Sequence, residues 1–500
     1  MTTALVLGDQ LDAGAFGDAD RVLMVESERF ARRHRYHAAK LTLVFAAMRA
    51  FRDRLRERGT TVRYERAETF AEGFESFFDD HPEEVLVAMR PASHGAADGI
   101  RSAVERARGD IEFRENELFL TTPAEFDAWH DGNSYEHESF YRWQRRRTGY
   151  LMDGDEPEGG AWNYDDENRE TPPEGYEAPD PPTFDYDERV RETHEWVCET
   201  FDVWGTESFE AFDWPVSRAG AERALDSFVT ERLPEFGPYE DAMVAGEPVL
   251  DHSLLSAALN LGLLRPGEVV ERAIDAYRER EVVPLNSVEG FVRQVIGWRE
   301  FMRHVYRKEM PELAEANRLG AERELPPAYW NPERTEMNCL WECAGAVHER
   351  GYAHHIQRLM VLSNLALTYG ASPQELNEWF HCGFVDAYHW ATTPNVVGMG
   401  VFGTDAFTSK PYASSANYID SMSDYCSGCV YDPDQNVGEA ACPFNTLYWD
   451  FLAEHEDELR SNHRMGLVYS HVNDKRESGE LAEIREYAEE LRAELAAGER

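Results

Sequence analysis

Three cysteines stand close together near the C-terminus: Cys426 and Cys429 in Asp424-Tyr425-Cys426-Ser427-Gly428-Cys429, and Cys442 in Cys442-Pro443-Phe444-Asn445. A fourth, Cys339, lies far upstream in Met337-Asn338-Cys339-Leu340. Four thiolates gathered this way can hold an iron–sulfur cluster or a structural zinc. The two-residue gap alone suits zinc knuckles and redox dithiols equally, whereas a proline after the last ligand is a habit of iron–sulfur sites. Cys343 follows Cys339 by one helical turn on the same face. The alternative is that these are small core residues.

Other residues able to do chemistry lie between these cysteines. His354 and His355 are adjacent, so on a helix they point about 100° apart, one toward a cavity and one toward a neighbour. An imidazole titrates near neutrality and suits proton exchange. In Asp251-His252-Ser253-Leu254-Leu255-Ser256, hydroxyls and free N–H groups at a helix start suit a pyrophosphate, or they are simple N-caps. Arg142, Arg145, Arg146 and Arg147 form the densest basic run, a solvated helix face or a phosphate contact.

Five hundred residues, 42% hydrophobic and 12% aromatic, allow two or three domains and exclude a disordered chain. No apolar run approaches the ~20 residues of a membrane span. The N-terminus reads as a first strand and not a signal peptide, and seven cysteines point to a reducing cytoplasm. Net charge is −45, and lysine occurs only at Lys40, Lys308, Lys410 and Lys475. Such a surface keeps a protein hydrated in concentrated salt, which reads as halophilic adaptation of a haloarchaeal kind. At molar salt the Debye length is ~3 Å, so the charge neither proves nor excludes a nucleic-acid partner.

The elements that position these residues fall into two kinds. Short strand-like runs, Ala4–Gly8, Arg21–Val25, Thr61–Tyr64, Glu84–Ala88 and Ile111–Phe113, alternate with helical stretches such as His37–Arg56. The alternation predicts a doubly wound parallel sheet over residues 1–132, with Asp9 and Gln10 at its ligand-binding edge. Residues 133–185 read as an interdomain linker, loop-like from about 150, rich in proline and acids, and pinned by Trp162 and Tyr164. Residues 186–478 read as a large all-α domain, with one stripe through Val292, Val295, Ile296, Phe301 and Met302. Residues 479–500 read as an acidic tail, a solvated helix.

Several strings resemble one group: Tyr352-Ala353-His354-His355-Ile356-Gln357-Arg358-Leu359-Met360, Pro394-Asn395-Val396-Val397-Gly398-Met399, Ser409-Lys410-Pro411-Tyr412, Gly159-Gly160-Ala161-Trp162-Asn163 and the cysteine run. The group is the iron–sulfur bacterial cryptochromes and prokaryotic (6–4) photolyases, and the resemblance runs from residue 4 to about 465. It implies a photolyase architecture, an α/β antenna domain followed by a helical FAD-binding domain. It implies a [4Fe–4S] cluster on Cys339, Cys426, Cys429 and Cys442, leaving Cys343, Cys198 and Cys382 as buried thiols. FAD would contact His252, Ser253, Leu254, Leu255, Ser256, Gln294, Trp298, Arg299, Asp386, Thr392 and Asn395.

The resemblance further implies light-driven repair of (6–4) lesions in UV-damaged DNA by a monomer. His355 would be the proton donor with His354 as its partner, and Met399 and Tyr412 would line the lesion pocket. Trp379 and Trp330 would relay electrons. Asp9, Gln10, Glu26, His37 and Lys40 match a pocket for 6,7-dimethyl-8-ribityllumazine, although His37 and Lys40 read equally well as a surface helix. Two departures stand out: Thr392 where the group has glutamate, and Phe380 where it has tyrosine. A light sensor without repair activity and a non-photochemical iron–sulfur protein that binds nucleic acid are the alternatives.

Overall fold

The computed structural model describes residues 2–17, 19–131 and 135–500. Five strands, β1 (Thr2–Leu5), β2 (Arg21–Ser27), β3 (Thr61–Ala67), β4 (Val85–Met89) and β5 (Asp110–Arg114), form one parallel sheet in the order β3-β2-β1-β4-β5. Each expected strand is present. The first starts earlier than its apolar run suggests, because Thr2–Ala4 pair with Val85–Val87 while residues from Gly8 turn away toward the helical half. The strand order reverses at β1, so its C-terminal edge opens as a crevice. The 132/133 boundary lies outside the described residues.

Helix α1 (Ala38–Glu57) begins where His37 accepts a hydrogen bond from the Ala39 N–H through Nδ1. Its start is also the joint between sheet and helices. Lys40 donates to the carbonyls of His381 and Ala387, the latter at 2.7 Å. The His37 Nε2 meets the His348 carbonyl at 3.0 Å. The surface-helix reading of these two residues is corrected: His37 is 0% exposed and Lys40 6%. Burial lowers the Lys40 ammonium to about 8 and His37 to about 4.

The linker is more structured than its composition suggests. It carries helix α2 (His137–Thr148), whose Gln144 and Tyr141 bond the Ile296 carbonyl and Glu289 across to the helical half. Trp162 and Tyr164 are pinned as expected, the first by Arg145 on its carbonyl and the second by its N–H on Glu289. Arg145 itself is fully buried, so that part of the basic run is structural. The acidic tail is helical as expected, but it is not solvated all round. Helix α7 (Glu480–Ala497) buries Leu481, Ile484, Ala488, Leu491 and Leu495 against α6 (Pro443–Glu454), and Arg492 pairs with Asp450 at 2.5 Å. Its acidic residues cover the outer face of a 3.6-residue stripe, which composition alone conceals.

The helical half buries the expected stripe in α3 (285–309). Among the described residues four segments widen into π-turns: Phe228–Arg232, Arg293–Arg299, Gln357–Ser363 and Pro394–Gly400. Such widenings cost regular hydrogen bonding and recur at functional sites. No helix among the described residues is long and apolar enough to cross a membrane.

Candidate functional site

Three imidazoles meet where the loop before Ser256 approaches the Gln357–Ser363 turn. His252 and His354 stack at 4.4 Å between centroids and 12° between planes. His355 stands edge-on to His252 at 5.2 Å. His252 and His354 are buried, and His252 Nε2 and both ring nitrogens of His354 have no hydrogen-bond partner among the described residues. Burial, reinforced by the neighbouring cations, holds both well below the ordinary histidine range. His355 differs. Its side chain is 43% exposed and its Nε2 lies 3.4 Å from Asp241. The surrounding protein pulls its pKa down, but the hydrogen bond and charge of Asp241, with Glu240 behind, outweigh that and raise it.

The loop that supplies His252 is strained. Leu250 and Leu254 adopt φ of +49° and +59°, which for bulky residues costs of order 1–3 kcal/mol and persists only where the surroundings impose it. The Ser253 hydroxyl accepts from the Leu255 N–H, and the Ser256 hydroxyl donates to Asp386 at 2.6 Å. Neither serine caps the short helix Ser256–Leu261, correcting the N-cap reading. Asp386 is gripped by Arg358 through two bonds of 3.1 and 2.9 Å. Burial pushes the Asp386 carboxyl up, but this fork and the Ser256 hydroxyl outweigh it and hold it low. Arg358 also acts on the charges of His252, His354 and Tyr352, so all share one space.

The remaining expected contacts divide. Gln294 bonds Glu240 at 2.7 Å, and its neighbour Arg293 reaches Asp165 at 2.9 Å, on the side of Tyr412. Trp298 stacks on His137 at 3.6 Å and shares an aromatic cluster with Met399. Arg299 turns to the sheet half, bonding the Leu118 carbonyl at 3.2 Å beneath Phe119, and is not brought to the histidines. The Thr392 hydroxyl donates to the Tyr388 carbonyl at 3.2 Å and Asn395 to the Ala391 carbonyl at 2.8 Å, so neither is free in the way a charged carboxylate would be. Sequence reasoning missed Arg358 and Asp241. Arg358 sat inside the quoted histidine motif; Asp241 carries no local signal.

Cys339, Cys426, Cys429 and Cys442 line one cavity with Met337 and Tyr425, and Cys343 is absent from its wall. Burial raises Cys426 and Cys442 to about 12; Cys442 adds to the shift of Cys426, and Cys429 adds to both. Cys343 instead bonds Tyr425. A separate trio, His34, Glu378 and Cys382, brings ligand atoms within 4.8 Å of one another. Lys40 faces the Cys382 sulfur, and Arg33 and Lys40 act together on His389 beside it. The Lys40 ammonium opposes a dication there, and the His34–Glu378 bond of 3.0 Å ties the halves together instead.

The five antenna candidates do not form one open group. Both Glu26 oxygens are taken by Arg49, with Tyr64 and Arg66 also bound. His37 and Lys40 are fixed in the joint. Asp9, raised to about 6 by burial, and Gln10, with its Oε1 unpartnered among the described residues, remain at the β1 edge. Trp379 is fully buried and Trp330 is 39% exposed.

A family model described as deoxyribodipyrimidine photo-lyase-related protein matches residues 4–214. The sequence is 40% identical over 485 residues to a (6-4) photolyase of Agrobacterium fabrum (strain C58), covering 93% of this chain and 94% of the relative. A 69-residue stretch, 14% of the chain, is 44% identical to an uncharacterized protein of Acanthamoeba polyphaga mimivirus. The fold aligns with the crystal structure of a bacterial class III photolyase from Agrobacterium tumefaciens at TM-score 0.57 and 15% identity, covering 84% of this chain and 86% of that one. At that identity the likeness is one of fold.

Proposed function

This chain belongs to the photolyase-related family that includes the Agrobacterium (6-4) photolyase, and from that premise we propose that it is a light-driven DNA repair enzyme acting on (6–4) pyrimidine–pyrimidone lesions. The observation that carries the reading is the His252–His354–His355 group, two buried imidazoles with unsatisfied nitrogens and a third, half-exposed one on Asp241, beside a clamped carboxylate.

Buried polar atoms without partners are costly, and this set fits a polar heterocycle with phosphates. FAD would be held by the His252–Ser256 loop, by the Asp386–Arg358 pair and by Gln294. Bound, reduced and excited by light, it supplies the electron that opens the lesion. The protein's own residues do the rest. Arg358 fixes the Asp386 carboxylate, which would bond a bound flavin. Asp241 stabilises the His355 imidazolium and so favours its protonated form. With Nε2 held by Asp241, the Nδ1 proton is the one available to the substrate. His354, buried and neutral, packs the wall against which His355 turns. Flipping a damaged base out of the duplex costs less than flipping a paired one, and the partial exposure of His355 suits contact with such a base.

The four cavity-lining cysteines fit a [4Fe–4S] cluster, since four thiolates converging on one enclosed space are its usual donor set. A cluster there would tie α4 (Asn338–Arg350) to α6.

The test is illuminated repair, in molar salt, of an oligonucleotide bearing one (6–4) lesion, beside the His355→Ala variant. Light-dependent restoration of both bases, lost in the variant, is expected. No repair by a preparation that contains reduced FAD would turn the reading to a light sensor.

A further inference from the structure

Phe380 lies edge-on to Trp379 at 5.2 Å, but its benzene ring resists the one-electron oxidation that a phenol or indole accepts. A different aromatic fills the gap between the expected tryptophans. Trp204 lies 6.5 Å from Trp379 and 5.2 Å from Trp330, centroid to centroid. The three indoles run from fully buried, through 4% exposed, to 39% exposed. At the inner end, Phe384 joins Trp379 at 5.6 Å and lies under the Arg358 guanidinium at 4.4 Å, next to Asp386.

The proton chemistry is graded along the same line. Trp379 donates its indole N–H to the Tyr329 carbonyl, a very weak base. The Trp204 Nε1 has no partner among the described residues. Its edge-on neighbour His37 has both nitrogens engaged, by the Ala39 N–H and the His348 carbonyl. An indole cation formed at either position has no side-chain base within hydrogen-bonding reach, His348 lying 6.0 Å from Trp204 between centroids, and so remains a cation able to pass its charge on. Trp330 meets water and can lose its proton. The position of Trp204 is also built. Its N–H and carbonyl bond the Tyr36 carbonyl and Ala38 N–H, both at 3.1 Å. Its ring lies on Gly383 of α5 (Pro373–Gly383), where a Cβ would sit 2.9 Å from Cζ2.

We propose that Trp204 is the middle relay of a three-tryptophan path that carries an oxidising equivalent from Trp379 to the surface at Trp330. The proposal rests on the flavin reading above. One electron leaves Trp379 for a photoexcited, oxidised flavin. Trp204 reduces the Trp379 cation, and Trp330 reduces the Trp204 cation. The Trp330 cation releases its Nε1 proton to water, and an external thiol returns one electron and one proton, two such thiols closing to a disulfide.

Flavin-loaded Trp204→Phe and Trp204→Tyr proteins distinguish a relay from a packing residue. Both lose the indole volume, but only tyrosine can be oxidised. Transient absorption and electron paramagnetic resonance should show a long-lived neutral Trp330 radical in the parent. It should be absent in Trp204→Phe and in the surface control Trp330→Phe, and partly recovered in Trp204→Tyr. A Trp330 radical formed in Trp204→Phe at the parent yield would overturn the proposal, as would equal loss in both Trp204 variants. If Trp204→Phe does not fold, Trp204→Tyr is compared with the parent, and an unchanged radical rise time counts against the relay. Chemically reduced Trp204→Phe should repair like the parent. Loss of repair in every chemically reduced protein, with the radical pattern intact, would reject the repair reading and keep the relay.

Discussion

Two polar groups, one in the helical half and one in the sheet half, use their hydrogen-bonding atoms differently. In the helical half, His252 and His354 are buried with nitrogens unsatisfied, beside strained leucines and widened helical turns. In the sheet half, Glu26, His37 and Lys40 are equally buried, yet arginines, a tyrosine or backbone carbonyls take up their polar atoms. Residue type and burial are alike; satisfaction separates them. A buried polar atom without a partner is costly, so it points to a ligand, whereas a satisfied one points to architecture.

The largest contrast is expected at His355. The His355→Ala substitution should lower light-driven repair by about 10²–10⁴-fold, the usual range for a lost general acid, while the thermal midpoint barely moves because the side chain is 43% exposed. A midpoint collapse with intact specific activity would place His355 with the architectural residues. Glu26→Gln is its counterpart. Removing one partner of a buried ion pair costs roughly 3–5 kcal/mol, so urea unfolding should shift by that order while any bound lumazine stays. Loss of the chromophore with unchanged stability would return Glu26 to an antenna pocket.

A smaller effect should come from acid. His37 binds its proton in the unfolded chain at the ordinary 6.5 and in the folded chain at about 4. Between those values the unfolded state holds more protons, so stability rises with pH across the window and falls as pH drops from 6.5 toward 4. His37 alone is worth about 3 kcal/mol there, and His37→Gln should flatten the slope of thermal midpoint against pH. His355 runs the other way, with its folded pKa raised. Repair that needs its proton should decline as pH climbs through that value, and Asp241→Asn should move the decline to lower pH. An unmoved limb in the variant would remove Asp241 from the proton's control. The smallest change is expected for Cys343→Ala. It should retain iron and the broad visible absorption that Cys442→Ala loses, because Cys343 stands outside the cavity wall.

The legible parts share one property: local pattern and chemistry coincide. Five strands and α1 follow from alternation and apolar period, but their ends differ: β1 leaves the sheet early, and β2 and β3 run on to Ser27 and Ala67 past their apolar runs. The four cysteines were separable from Cys343 by matching neighbours and not by spacing, which allowed both. Three features were hidden. Acidic composition masked the amphipathic stripe of α7; the Asp241–His355 contact joins residues 114 apart; and Trp204 belongs to a stretch with no motif of its own.

By itself the sequence determined the parallel sheet, the helical half, the paired histidines and the four thiols, because hydrophobic period and short-range spacing are properties of the chain. Which polar atoms remain unsatisfied, which charge raises His355, and which indole stands between Trp379 and Trp330 were decided only in three dimensions. Those depend on contacts between residues tens to hundreds of positions apart, and burial sets their energies through neighbours that no local window contains.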